Sequence, residues 1–286
     1  MRIAIIGAGP AGLAAAKKAS KENEVVVFDG NSDAGKKLLL TGSGRCNIGN
    51  VNNDLSKYHS SNKELIKKII NDKNFDKVNN FFKEIGLVLK DKNGYLYPYS
   101  EKSSSVLSCL KNSLDVDFRF NTYVENIKRK DNKFIINGEV FDKVIITTGG
   151  LSYPKTGSTG EGFHLAKAFG HKVTNLNPSL MALETNTGLE KEWSGTRCEV
   201  NVSSYIVGRK IKEEHGELQF TSFGLSGICI FNLSRDIRLA LNEEKSCEVR
   251  INFCPWTDDL SKYMEENKDK YLSLIHISEP TRLRRI

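Results

Sequence analysis

Residues 2–12, "RIAIIGAGPAG", decide how the rest of the chain is read. A short apolar run ends in glycine, and Gly7-Ala8-Gly9-Pro10-Ala11-Gly12 has the spacing G-x-G-x-x-G. That spacing alone is weak evidence. Here residues 10–20 are Ala-rich and helical in composition, and residues 24–29, "EVVVFD", form a second β-branched run ending in a carboxylate. Strand, glycine turn, helix and strand make a βαβ unit, and continuous Val/Ile strands suit a parallel sheet covered on both faces. This is the context a dinucleotide fingerprint requires. Gly7 makes the tight turn, Gly9 lets the backbone approach a pyrophosphate, and Gly12 lets helix and strand pack closely. Pro10 and Ala11 open the helix, whose free N–H groups and partial positive charge face the phosphates. Asp29 can accept both ribose hydroxyls of the adenosine half.

The chain has 286 residues, enough for two domains, and 39% hydrophobic residues, enough for packed cores. None of the six cysteines stands in a C-x-x-C pair, which argues against zinc ribbons and thioredoxin-type redox motifs. Free thiols in a reducing cytosol are the plain reading, so a cytoplasmic location is expected. No apolar run is long enough to span a membrane. Residues 272–282, "LSLIHISEPTR", resemble the in-frame translation of a transposase-type sequencing adapter. Residues 272–286 are therefore set aside as a non-native tail, and the natural product is expected to continue beyond Tyr271. Three arginines against one glutamate in that tail inflate the formal charge of +7. The remaining basic excess is mild and scattered, not a nucleic-acid footprint by itself.

Downstream, residues 30–53 read as a polar Gly/Asn-rich loop. Helices are predicted over 63–70, 75–85 and 102–114, with a turn at 92–94. Strands are predicted over 117–120, 123–129, 133–136 and 139–141, with a hairpin turn at Asn137-Gly138. The run 143–148, "KVIITT", is a strand that ends in Gly149-Gly150. This order, a βαβ start, a small meander and a return strand ending in glycine, resembles two-dinucleotide-binding flavoproteins. A helix over 161–169 is expected to stop at Gly170. Short strands are predicted over 199–207, 210–211 and 227–233, with few helices. The division predicted is residues 1–183 for a nucleotide-binding α/β domain, 184–271 for a partial β-rich substrate domain, and 272–286 for the tail.

Whether the nucleotide is FAD or NAD depends on further features, since a ribose-binding carboxylate suits either. Thr148, Gly149 and Gly150 lie where an Ala/Thr-Thr-Gly passes beside FAD in such flavoproteins. Val124 sits where the meander grips adenine through its backbone. The stretch 41–47, "TGSGRCN", admits three readings: a phosphate cradle, a reactive thiolate at Cys46, or a glycine loop pressed against a large flat ligand. No G-K-[ST] follows, which removes the P-loop reading. Cys46 has no near partner in sequence, so a small buried thiol is the better reading.

At this point the chain resembles a known family. The blocks 35–47 "GKKLLLTGSGRCN", 97–110 "YPYSEKSSSVLSCL", 147–171 "TTGGLSYPKTGSTGEGFHLAKAFGH", 177–185 "NPSLMALET" and 216–235 "GELQFTSFGLSGICIFNLSR" occur in one order. Together they resemble the BaiN-type NAD(P)/FAD-dependent oxidoreductases, a bacterial flavoprotein family including proteins called aminoacetone oxidases or bile-acid flavin reductases. The resemblance covers nearly all of residues 1–254. It implies a Rossmann-like FAD domain with an inserted barrel-like β domain, and an FAD site completed by a returning C-terminal segment that this truncated chain lacks. Two positions depart from the pattern: Ser222 stands where His is common, and Cys229 where Pro is common.

The resemblance also implies that Gly42, Gly44, Arg45, Cys46 and Asn47 lie along FAD. Arg45 offers a fixed fork of donors, and a positive charge near a flavin favours its anionic reduced form. Lys37 reads equally as a phosphate partner or a solvated lysine. Ser158 or Thr159 can cap the helix at 161, whose N-terminus also suits an anion. His164 and His171 have no matching ligands and read as structural. The leading expectation is an enzyme using NAD(P)H to reduce an unsaturated or carbonyl-bearing small molecule through FAD. The alternatives are a flavoenzyme modifying a base in RNA and an incomplete, inactive fragment. Substrate, catalytic residues and oligomeric state stay open.

Overall fold

The computed structural model describes residues 1–267 apart from Asn53, Ser61, Thr187, Leu189 and Asp258. The tail at 272–286 lies outside the described residues. The chain divides into two compact units, Met1–Thr174 and Asn175 onward.

The first unit runs β1 (Arg2–Ile6), α1 (Pro10–Ala19), β2 (Glu24–Phe28), α2 (Lys36–Leu40), β3 (Gly49–Asn50), α3 (Lys63–Ile69) and α4 (Asp72–Glu84). It continues with β4 (Leu89–Lys92), β5 (Tyr95–Pro98), α5 (Ser103–Asn112), β6 (Asp117–Arg119), β7 (Lys128–Lys130), β8 (Lys133–Ile136), β9 (Glu139–Phe141), β10 (Lys143–Ile146) and α6 (Glu161–Ala168). The parallel sheet has the order β10-β1-β2-β6. β1 is central, in register with both neighbours, Ile5 opposite Val27 on one side and Ile145 on the other.

The alternation of a strand explains why nearly every residue of β1 and β2 is apolar. Ile3, Ile5, Val25 and Val27 face one way, into a core shared with Leu13 and Ala16 of α1 and Val106 and Leu110 of α5. Ala4, Ile6, Val26 and Phe28 face the other way, into a core with Val124, Ile136, Phe141 and Leu165. The meander β7-β8-β9 thus roofs the second face of the sheet, with Phe28 edge-on to Phe141 at 5.9 Å between centroids.

Two local predictions are corrected. Residues 30–53 are not all loop: α2 forms because Leu38 anchors it, buried in the first core. The first meander strand starts at Lys128 rather than Tyr123, so Val124 precedes it as a buried coil residue. Tyr123 and Val124 leave the ladder because the segment is anchored to β2's end instead, where Thr122 N donates to Asp29 O at 3.0 Å.

The second unit contains β11 (Leu183–Glu184), α7 (Glu190–Trp193), β12 (Arg197–Ile206), β13 (Arg209–Thr221), β14 (Gly224–Ser226), α8 (Ile228–Asn242), β15 (Cys247–Asn252) and α9 (Leu260–Asn267). Its antiparallel sheet has the order β11-β14-β13-β12-β15. The division between units falls after Thr174, ahead of the predicted 183/184 boundary. Leu183 pairs with Leu225 of β14, and Met181 N donates to Ser234 Oγ at 3.3 Å, which ties that stretch to the second unit. A further correction concerns 227–233, predicted as a strand. Ile228–Asn242 is a helix whose buried face, Cys229, Ile230, Leu233, Ser234, Ile237 and Ala240, repeats at helical spacing. That face packs on Val200, Val202, Leu218 and Phe220 of the sheet.

Candidate dinucleotide-binding site

Three loops meet at the carboxyl ends of the parallel strands: 7–12 after β1, 29–35 after β2 and 147–150 after β10. The chain leaves β1 toward β2 and returns on its other side as β10, so β1 marks a topological switch point, where open α/β sheets bind ligands.

The first loop is held by backbone. Gly7 N donates to Phe28 O at 2.7 Å, and Gly7 has φ +104°. A Cβ on Gly7 would lie 2.6 Å from Thr147 O, and one on Gly12 would lie 1.9 Å from Gly7 O. These two glycines therefore serve packing. Gly9 differs: a Cβ there would meet no atom within 4 Å, so the space above it is open. Gly9 is the N-cap of α1 and Pro10 stands in its first turn, with no side chain capping the helix. The first-turn N–H groups at Ala11 and Gly12 are left for an incoming acceptor.

Asp29 has structural work of its own. Its Oδ2 accepts from Ala8 N at 2.7 Å, and its Oδ1 accepts from Asn31 N at 2.8 Å and Asn31 Nδ2 at 2.9 Å. One carboxylate thereby fixes the glycine loop against the turn after β2, and Oδ2, with a single donor, retains a lone-pair direction. Gly35 N then donates to Ala8 O at 3.0 Å, bringing the start of α2 back to the same loop. Lys37 Nζ lies 3.3 Å from Ser152 Oγ, its recorded partner.

The third loop closes the cradle. Thr147 Oγ1 donates to the carbonyls of Ile6 and Gly7, each at 2.9 Å. Thr148 lines a cleft with Gly7, Asp29, Gly30, Asn31, Tyr123 and Val124. Gly149, at φ +79°, lies under the buried Ser158, and Gly150 faces open space. Thr147, Asn31 and Tyr123 were not singled out from sequence. Thr147 sits inside the quoted "TTGG", whereas nothing local marks Tyr123, whose ring lies against Gly30.

The expected cap of α6 is not found: no side chain caps that helix. Thr159 Oγ1 instead donates to the Glu161 carboxylate, which holds Glu161 below the usual carboxylate range. A standing negative charge in the first turn disfavours an anion at this helix end.

The 41–47 stretch is a tight left-handed turn. Gly42, Ser43 and Gly44 have φ of 55°, 54° and 84°, and Cys46 follows at 60°. Arg45 N donates to Gly42 O at 3.1 Å and Cys46 N to Thr41 O at 3.0 Å. Cys46 points into the first core, 4% exposed, so only its backbone is offered outward. Arg45 and Asn47 are exposed on either side of it. Among the described residues no hydrogen bond links 42–47 directly to the 7–12 loop. His164 and His171 are exposed, and among the described residues no group of His, Cys, Asp and Glu can hold a metal. No described helix is long and apolar enough to cross a membrane.

The parallel sheet with a strand–glycine loop–helix at its switch point defines a Rossmann-type α/β protein. The chain belongs to the HI0933-like protein Rossmann domain family, whose pattern covers residues 1–244. It is 34% identical over 264 residues to the 3-dehydro-bile acid delta(4,6)-reductase of Clostridium scindens, covering 89% of this chain and 64% of that protein. It is 30% identical over 247 residues to the ribosomal RNA dihydrouridine synthase of Haemophilus influenzae, covering 80% of this chain and 60% of that protein. The enzyme of that name from Escherichia coli is 27% identical over 239 residues, with 80% and 59% covered. The chain thus spans less than two thirds of the length of these curated relatives.

Proposed function

We propose that the first unit holds FAD and that the protein is a flavin-dependent oxidoreductase. The observation that carries this is the open space over Gly9 at an uncapped helix N-terminus, beside a carboxylate at the end of β2. The residues fit the group: the backbone N–H groups of Ala11 and Gly12 receive the pyrophosphate, and Asp29, already oriented by Ala8 and Asn31, receives the adenosine ribose. Val124 and Tyr123 border the cleft on the adenosine side. Thr148, Gly149 and Gly150 continue the surface from β10, and Gly42, Gly44, Arg45 and Asn47 extend it toward the flavin. Lys37 and the backbone of Cys46 complete the set.

Bound FAD would supply two-electron hydride chemistry, with NAD(P)H as donor and an unsaturated or carbonyl-bearing small molecule as acceptor. The chain's own contribution is to bind and orient. Arg45, exposed on the turn, is a cation that would favour an anionic reduced ring. The relative named as a bile-acid reductase supports the small-molecule reading.

A second reading, a flavoenzyme reducing a base in RNA, is supported by the two relatives named as ribosomal RNA dihydrouridine synthases. It predicts RNA binding that weakens steeply with salt. The first test is titration of the purified chain with FAD, read by flavin fluorescence. Saturable binding is expected, and a chain that stays free of flavin at saturating FAD contradicts the reading. Bleaching of the bound flavin by NADPH or NADH then identifies the donor.

A further inference from the structure

A cavity in the second unit belongs to no part of the nucleotide cradle. It measures about 800 Å³, the size that small organic ligands fill. Its walls are largely apolar. Trp193, Phe220 and Phe253 form one aromatic cluster, with ring centroids 5.1–6.3 Å apart. Trp193, Leu241 and Phe253 line the cavity yet remain 38%, 49% and 40% exposed, apolar surface that soluble domains normally cover.

Among the described residues one cation lines this cavity: Arg238 of α8, directly after the buried Ile237. Its Nε is buried with no hydrogen-bond partner, and its guanidinium makes no recorded ion pair among the described residues. Among the described residues two carboxylates, Glu184 and Glu248, line the same cavity. Glu248 is committed to Arg250 at 2.7 Å, and Glu184, on the edge strand, makes no ion pair with Arg238. Withdrawing a guanidinium N–H from water without an acceptor is costly, and an apolar residue at 238 would avoid that cost.

We propose that this cavity binds an apolar molecule bearing a single carboxylate, anchored by Arg238. The body lies on the aromatic cluster, and the carboxylate accepts from the guanidinium fork in two parallel hydrogen bonds. One cation among two standing carboxylates suits a monoanion better than a phosphate dianion.

The test uses the whole chain without added flavin, so its failure leaves the nucleotide reading untouched. The chain has two tryptophans, and Trp193 lines the cavity whereas Trp256 does not. In a Trp256→Phe background, emission of Trp193 is followed as decanoate, decan-1-ol or decyltrimethylammonium is added below micelle-forming concentrations. Decanoate is expected to bind saturably, and the alcohol and the cation about ten-fold or more weakly. Arg238→Gln is expected to bring decanoate down to the level of the alcohol, with Arg238→Lys intermediate. The ligand-free melting temperature of Arg238→Gln is expected to be no lower than that of the parent, because among the described residues the Arg238 Nε has no hydrogen-bond partner to lose. Equal binding of all three probes, no response to decanoate, or an Arg238→Gln chain that melts earlier or fails to fold overturns the proposal.

Discussion

In the first unit the surface offered to a ligand is backbone: glycine-loop N–H groups at the start of α1, steadied by Asp29 and Thr147. In the second it is side chains, an aromatic cluster and one guanidinium gathered from α7, β13, α8 and the end of β15. A backbone site depends on positions where a Cβ cannot or must not stand. A side-chain site depends on which residues the tertiary fold brings together. The two units should therefore fail differently when mutated.

The largest effect is expected at Gly12. A Cβ there would lie 1.9 Å from Gly7 O, and the obstacle is backbone that cannot swing away. Gly12→Val should cost more than about 3 kcal/mol, beyond the usual range for overpacking, and leave the first unit unfolded by circular dichroism and proteolysis. Soluble protein with parental stability would break the claim that the fingerprint glycines serve packing first.

In the second unit the comparable weak point is a side chain. Leu233 is fully buried between α8 and the sheet. Leu233→Ala should cost about 3 kcal/mol, read from urea unfolding, through lost transfer energy and the void left behind. A loss below about 1 kcal/mol would mean that α8 is not seated on the sheet as described.

The division between units also sets what sequence could reveal. The spacing of Gly7, Gly9 and Gly12, with Asp29 after a β-branched run, fixes a local geometry that needs no long-range information. β1, α1, β2 and the return strand were accordingly legible, as was the burial of Cys46. The helix α8 was not. The fragment "GICIFNL" reads as a strand when taken alone, and the helical face appears only when Ile237 and Ala240 are included. Val124 reads as strand from sequence because nothing local shows that Thr122 is tied to Asp29. Arg238 is one of several arginines in sequence, and only the packing of α8 shows that its Nε is enclosed without a partner.

The smallest effect concerns pH. Burial pushes the thiols of Cys198, Cys229 and Cys247 above the ordinary thiol range. A raised pKa means the folded chain holds its proton longer than the unfolded chain. This contribution to stability is full below the ordinary thiol range and is lost as pH rises through it and through the raised folded values. The urea midpoint should therefore fall between about pH 8 and pH 10, and Cys229→Ala should show a shallower fall. An identical slope in that variant would remove the thiol from the account.

The most direct test of the backbone cradle is Gly9→Val. No atom lies within 4 Å of a Cβ at that position, and Gly9 has φ −73°, which valine adopts. FAD titration of the parent and the variant, followed by flavin fluorescence alongside thermal melting, separates binding from folding. The expected result is an unchanged melting temperature with FAD affinity reduced about ten-fold or more, the equivalent of about 1.4 kcal/mol. A variant that binds FAD as tightly as the parent would contradict the placement of the pyrophosphate over Gly9.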